Sequence, residues 1–354
     1  MEKKKFNKKL LIKISILVVC LILSVPLVIL PASTVIVYEM IFSMRFETQP
    51  YQMQEISDYE GLTVERSDFK SDVTIAGYKY SKPNQEVKGL VIISHGLGDG
   101  GHNKFMGYID EFTSNGYYVF TYDAQGTDNS GGSSSSGFPQ GIIDLDNAID
   151  HAKEIEEYKG LPIMLFGHSW GAYSVGNVLN HHPEVSAAVM VAGFNESEEM
   201  MGYYPRKVLG GFVDVVLLPY VSFYERVKFG KDYANITAVE GIEGTDAEIL
   251  VVHSKDDQRV PFNSGYEIYK QAFLGEDRVQ FIEYEDKGHK NLLYSDEAVI
   301  YQEKIENDYQ AYLEESGKRD NKQNRQEYMG EHFDAKQYYE PSKEIVLAAL
   351  SLFE

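Results

Sequence analysis

Short, uninterrupted apolar runs alternate with amphipathic stretches along most of this chain, and that rhythm restricts the fold more than any other feature. Leu90-Val91-Ile92-Ile93 and Ile163-Met164-Leu165-Phe166 carry no polar side chain, the pattern of strands covered on both faces. Further strands are read at 117–122, 187–191, 248–252 and 279–284. Between them, Phe105, Ile109 and Phe112 recur at helical spacing, and Ile142, Leu145, Ile149, Ala152 and Ile155 make one face of another helix. Repeated strand–helix–strand units imply an α/β fold, with a mostly parallel sheet and helices on both faces. Residues 62–66 and 73–80 alternate at period two and read as an antiparallel pair preceding the parallel series.

Two stretches interrupt the rhythm. Residues 195–246 are rich in aromatic side chains (Tyr203, Tyr204, Phe212, Tyr220, Phe223, Tyr224) and exceed ordinary connection lengths, so they predict helices of their own. Residues 301–339 are highly charged, with a helical start, and a last apolar helix follows at 344–353.

The N-terminus has a different character. A 17-residue run without charge, 14–30, follows a basic tail, and apolar residues resume at 35–38. Residues 14–38 would extend roughly 37 Å as a helix, enough to cross a hydrocarbon core. The lysines before it (Lys3, Lys4, Lys5, Lys8, Lys9, Lys13) keep the N-terminus on the cytoplasmic side. A cleaved signal peptide is the competing reading, but Leu30-Pro31-Ala32-Ser33-Thr34 fits a cleavage site poorly. The reading is a basic tail (1–13), a transmembrane signal anchor (14–38), a tether (39–60) and an extracytoplasmic domain (61–354).

Charge and cysteine content exclude several functions. The formal charge is −21, and the tail contributes +5, leaving −26 on the rest. So acidic a body repels phosphodiester backbones, which argues against a nucleic-acid partner. Cys20 is the sole cysteine, which excludes an internal disulfide and any cysteine-based zinc cluster.

The chemistry concentrates in Gly167-His168-Ser169-Trp170-Gly171. The motif follows a buried strand directly and opens into a helix, so Ser169 sits on a sharp turn whose flanking glycines relieve crowding. The helix N-terminus aims the Trp170 N–H where an oxyanion would form. A serine nucleophile needs a base oriented by a carboxylate. The next candidates along the chain are Asp257 and His289, each in a loop after a strand and therefore at the same sheet edge as Ser169. Asp256 is the neighbouring alternative to Asp257.

These features resemble the α/β-hydrolase superfamily, in its serine aminopeptidase, lysophospholipase and monoacylglycerol lipase-like branch. The matching residues are Ser94-His95-Gly96-Leu97-Gly98, Asp123-Ala124-Gln125-Gly126 with Ser130-Gly131, the Gly167–Gly171 turn, Asp257 with Val260-Pro261, and Gly288-His289. The resemblance implies an eight-stranded, mostly parallel sheet with a helical cap over the site at 195–246. It implies Ser169 as nucleophile, His289 as general base and Asp257 as its orienting acid. Leu97 and Trp170 are implied as oxyanion-hole N–H donors, with no cofactor or metal. The expected substrate is a small ester, or an amide, and the aromatic cap points to an apolar acyl group. A peptidase, an acyltransferase and an inactive binding protein remain as alternatives on the same fold.

Other residues compete for attention. Gly96-Leu97-Gly98-Asp99-Gly100-Gly101, with Asp123 further on, fits a dinucleotide fingerprint. That reading leaves Ser169, Asp257 and His289 unexplained. His95, His168 and His253 are expected to pack around the site, and His102, His181 and His182 lack the spacing of metal ligands.

Overall fold

The computed structural model describes residues 8–83, 86–98 and 100–354. Lys3, Lys4 and Lys5 of the basic tail and Asp99 of the glycine-rich motif lie outside them. Strands β1 (Thr63–Arg66), β2 (Phe69–Lys70), β3 (Thr74–Ser81), β4 (Gly89–Ser94), β5 (Tyr117–Asp123), β6 (Ile163–His168), β7 (Ala187–Val191), β8 (Glu248–Ser254) and β9 (Val279–Tyr284) form one sheet. Its order is β1-β3-β5-β4-β6-β7-β8-β9, with β2 also on β3. β3 runs antiparallel to β1, β2 and β5, and the pairs from β4–β5 to β8–β9 are parallel.

The sheet has nine strands where eight were expected. β2 pairs Phe69 with Ile75, and β1 pairs Arg66 with Tyr78. The two share one register along the same edge of β3, so they are a single edge strand broken at Ser67-Asp68. The turn into β3 is closed by Ser71 N donating to Val73 O at 2.9 Å. It is pinned by Ser71 Oγ donating to buried Asp144 at 2.7 Å. No periodicity announces a two-residue strand held this way.

Apolar cores fill both faces of the sheet. One includes Ile92, Phe120, Leu145, Leu165 and Val175, and the other Val91, Ile93, Ile109, Phe166 and Val252. Neighbours along one strand thus point into opposite cores, which is why β4 and β6 read as unbroken apolar runs.

The N-terminal segment is joined to the body. A helix runs from Lys8 to Ile41, through a wide turn at Val25–Ile29 where Pro26 lacks the N–H for a normal helical bond. Its stretch Ile12–Ile41 is long and apolar enough to cross a membrane. Residues 39–60, expected as a tether, are docked. Phe46 exchanges backbone hydrogen bonds with Gly126 and Asp128, Thr48 Oγ1 donates to Asp128 at 2.6 Å, and Gln54 N donates to Asn103 at 2.7 Å.

The insertion forms helices Ser197–Leu209 and Leu218–Phe229, and its chain returns to the sheet at Ala238, whose N–H donates to Asn195 O. These helices pack against the last turns of the N-terminal helix around Tyr38, Phe42, Val213, Leu218 and Val221. At the centre, Glu225 is fully buried and accepts from Tyr38 at 2.7 Å and from Ser197 at 2.6 Å. Burial pushes the Glu225 carboxyl up to about 7 against these two hydrogen bonds. A carboxyl raised on folding contributes stability at acid pH that is lost as pH rises through about 7. Proteolysis within 197–229 should therefore accelerate as pH rises from about 4.5 to about 7 and level off above it, measured as cleavage rate at each pH. Glu225→Gln should flatten that profile, and an unchanged profile would mean that this carboxyl does not control the contact.

Candidate active site

Ser169 stands between β6 and the helix Trp170–Val178 with φ 58° and ψ −119°, a left-handed conformation that a residue with a Cβ adopts only under constraint. Its N–H donates to Val191 O at 2.8 Å and its carbonyl accepts from Tyr173 N at 3.0 Å, fixing the turn from both sides. The glycines permit close packing. A Cβ at 171 would lie 2.0 Å from Ser94 O, and one at 167 would lie 2.4 Å from Gly171 O.

The structure brings Ser169, His289 and Asp257 into one hydrogen-bonded chain. His289 Nε2 lies 2.9 Å from Ser169 Oγ, and His289 Nδ1 lies 2.7 Å from Asp257 Oδ2. Parallel β6, β8 and β9 all end at the same sheet edge, so the loops after them converge although Ser169 and His289 are 120 residues apart. Asp257 Oδ1 accepts from Arg259 N at 2.8 Å and Val260 N at 2.9 Å. Burial pushes the Asp257 carboxyl up, but bonds to His253 and His289 and the Val260 N–H carry it below the usual range, keeping it ionised.

Asp256 has a different task. It accepts from Ser254 Oγ at 2.5 Å and Gly288 N at 2.8 Å, tying the β8 loop to the loop that carries His289. Leu97 lies in the loop after β4, where a Cβ on Gly96 would stand 3.3 Å from Ser169 Cβ. Trp170 begins the helix, so its N–H is among the first-turn donors without a helical acceptor.

The surrounding histidines hold loops in place. His95 accepts from Ala124 N and donates to Gly96 O, both at 2.8 Å, and burial lowers it to about 4. A neutral ring is what this paired donor and acceptor role requires. His168, held well below its ordinary value by burial and by nearby His289, donates to His289 O at 3.1 Å. His253 Nε2 donates to Val260 O at 3.0 Å. The glycine-rich loop borders Ser169, and Asp123 is buried with His102, Tyr78 and the Asn129 N–H, so it is not placed to hold a ribose. His182 bonds Asp146 at 2.7 Å. Among the described residues, no three metal-ligating side chains gather.

The groove above Ser169 departs from expectation. Its walls are Gln52 of the docked N-terminal segment, Lys104, Arg259 and Lys290, and Gln302, Tyr338 and Tyr339 of the charged segment. None of the insertion's aromatic side chains lines it: Tyr224 packs on Tyr38 of the N-terminal helix, while Tyr204, Phe212 and Phe223 are exposed. Sequence reasoning missed all these wall residues. Arg259 and Lys290 had a readable signal, since each lies within two positions of Asp257 or His289, whereas Gln52, Gln302, Tyr338 and Tyr339 had none.

The glycine geometry is testable by thermal melts. Gly171→Ala should destabilise the protein by about 1–3 kcal/mol, because Ser94 belongs to a central strand that cannot yield cheaply. Gly330→Ala, with open space around its Cβ, should be neutral or stabilising by up to about 1 kcal/mol. Equal melting temperatures for Gly171→Ala and the parent protein would contradict this packing.

The chain has recognisable relatives. A family model described as serine aminopeptidase, S33, matches residues 85–223. A monoglyceride lipase of Saccharomyces cerevisiae is 28% identical over 162 residues, covering 43% of this chain and 49% of that protein. An uncharacterized Bacillus subtilis protein, YqkD, is 26% identical over 200 residues, covering 56% of this chain and 64% of that one. The chain thus spans about half the length of the yeast relative and under two thirds of the Bacillus one. The Pyrococcus furiosus esterase Pf2001 superposes with a TM-score of 0.52 at 16% identity, over 77% of this chain and 98% of that structure. Sheet order, the turn at Ser169 and these similarities agree: the chain has the α/β-hydrolase fold and, over residues 85–223, resembles the serine aminopeptidase family.

Proposed function

We propose that this protein is a membrane-anchored, extracytoplasmic serine hydrolase that cleaves carboxylic esters through an acyl-enzyme. The observation that carries the reading is the chain of hydrogen bonds from Ser169 through His289 to Asp257, at 2.9 and 2.7 Å. Ser169 Oγ attacks the ester carbonyl while its proton passes to His289 Nε2. The carbonyl oxygen becomes an oxyanion, held by the backbone N–H groups of Leu97 and Trp170. As the intermediate collapses, the carbon–oxygen bond to the alcohol breaks and His289 returns the proton to the departing oxygen. Water then attacks the acyl-enzyme with His289 again as base, releasing a carboxylic acid and restoring Ser169. Asp257 keeps His289 Nδ1 protonated and balances the imidazolium that forms.

Membrane attachment rests on the helix Ile12–Ile41, whose 30 residues extend about 44 Å against a hydrocarbon core of roughly 30 Å. Leu27 and Ile36 on it, and Val208, Val215, Phe223 and Val227 on the insertion, are all more than 60% exposed. That apolar surface suits lipid better than water. The lysines preceding the helix favour a cytoplasmic N-terminus, which puts the site outside. A peptidase acting on amides through the same steps is the second reading, favoured by the serine aminopeptidase match over 85–223.

A fluorophosphonate probe should label the wild-type protein, and Ser169→Ala should abolish labelling. A folded wild-type protein that does not label would refute the hydrolase reading. On a short-chain ester, Asp257→Asn should lower kcat by about 10³–10⁴-fold. Asp256→Asn should chiefly lower the melting temperature, and the reverse pattern would reassign the acid. Esters should also turn over faster than matched aminoacyl amides, and the opposite order would favour the peptidase. In membrane fractions the protein should resist high-salt extraction, whereas release as a shorter form would mean that the N-terminal helix is cleaved.

A further inference from the structure

The N-terminal helix is longer than a hydrocarbon core is thick. Its uncharged run begins after Lys13, and a core of roughly 30 Å takes about 20 residues of helix. Counted from Ile14, the span ends at Ser33, and the helix continues beyond it to Ile41. Pro26 lies seven residues before that end, about 10 Å inside the outer face.

A hydrogen bond from the insertion reaches this depth. In the wide turn, Leu30 N donates to Val25 O, so the next donor in the same register belongs to residue 31. That residue is Pro31, which has no N–H to give to Pro26 O. Tyr220 Oη supplies the missing partner, donating to Pro26 O at 2.8 Å. An unpaired carbonyl is costly in hydrocarbon, because no water replaces the absent donor.

The segment around Tyr220 is composed for the same surroundings. From Val208 to Tyr224 the sole charged residue is Asp214, and its carboxylate accepts from Arg206 Nε at 2.6 Å. Arg206 and Lys207 precede this segment and Arg226 and Lys228 follow it, positions from which long basic side chains reach headgroups. An apolar groove of about 730 Å³ runs between the two elements, with Leu27, Leu30 and Val35 on one wall and Val215, Phe223 and Val227 on the other. Both tyrosine hydroxyls bordering it are occupied, Tyr220 by Pro26 and Tyr224 by Glu39 at 2.5 Å.

Resting on the reading of the N-terminal helix as a membrane anchor, we propose that residues 208–224 enter the outer leaflet beside that helix, with lipid acyl chains filling the groove between them. The insertion is then part of the anchor and not a cap standing in water. Continuity selects lipid over a protein partner. Leu27 and Phe223 face one groove from opposite walls, and the Tyr220 bond holds the insertion at a depth where the helix already meets acyl chains.

The test uses the full chain in phosphatidylcholine vesicles. Cys20→Ser removes the sole cysteine, so a spin label can be placed at one new cysteine at a time. Val215→Cys and Phe223→Cys report the insertion, and Val19→Cys reports the anchor. Leu274→Cys, exposed in the loop before β9 at the sheet edge opposite Ser169, reports water. Relative to the Leu274→Cys label, the other three should be relaxed several-fold more by oxygen than by a water-soluble nickel chelate. Lipid at Val19→Cys with water at Val215→Cys and Phe223→Cys overturns the proposal and leaves the anchor standing. Water at all three overturns both. Poor access of either reagent to the two insertion labels would mean a covering protein surface, and also overturns the proposal. Tyr220→Phe should shift the Phe223→Cys label toward water, and adding Pro31→Ala, which gives Pro26 O a helical donor, should reduce that shift. No shift with Tyr220→Phe overturns the role given to this bond.

Discussion

The turn that holds Ser169 is the constraint on which the rest of the site depends. A residue with a Cβ in this conformation costs about 1–3 kcal/mol, and it persists because its surroundings leave no alternative. β7 takes its N–H, the following helix takes its carbonyl, and Gly171 allows that helix to approach Ser94 closely. A bulkier residue at 171 would push the helix away from β4, and with it Trp170 and the loop containing Leu97. The geometry at Ser169 is therefore a property of the central sheet more than of the loop.

Around that turn, buried polar groups place the other participants. His95 links the loop after β4 to the loop after β5, and Asp256 links the loops after β8 and β9. Low dielectric strengthens these bonds and penalises any partner left unmatched, so the loops hold a single arrangement. The N-terminal segment extends the same scheme. A Cβ on Gly98 would touch the Phe46 ring at 3.6 Å, and Tyr38 reaches the insertion through Glu225. The apolar N-terminal helix and the groove thus belong to one continuous packing arrangement.

Much of this was legible in the chain itself. Strands buried on both faces announce themselves as unbroken apolar runs, which located β4 and β6. A glycine-flanked serine between strand and helix, followed in chain order by an acid and a histidine after later strands, pointed to residues that the fold brings within hydrogen-bonding distance. Spacing to Val260-Pro261 favoured Asp257 over its neighbour Asp256. They differ in what they meet on the loop after β9, His289 Nδ1 for Asp257 and Gly288 N for Asp256, and that meeting is made by the tertiary fold.

The amino-acid sequence by itself determined the α/β alternation, the apolar N-terminal helix and the three residues that meet at the sheet edge. Each of these depends on local periodicity or on short motifs that act within a few residues. Only the tertiary structure decided what surrounds them. The broken edge strand depends on Asp144 reaching Ser71, and the insertion packs Val213, Leu218, Val221 and Phe229 against Tyr38 and Phe42 of the N-terminal segment. The groove takes its walls from Gln52, Arg259, Lys290 and Tyr339, drawn from distant parts of the chain. Such contacts join residues far apart in sequence, and no local pattern encodes which apolar or charged surfaces will meet once the sheet has closed.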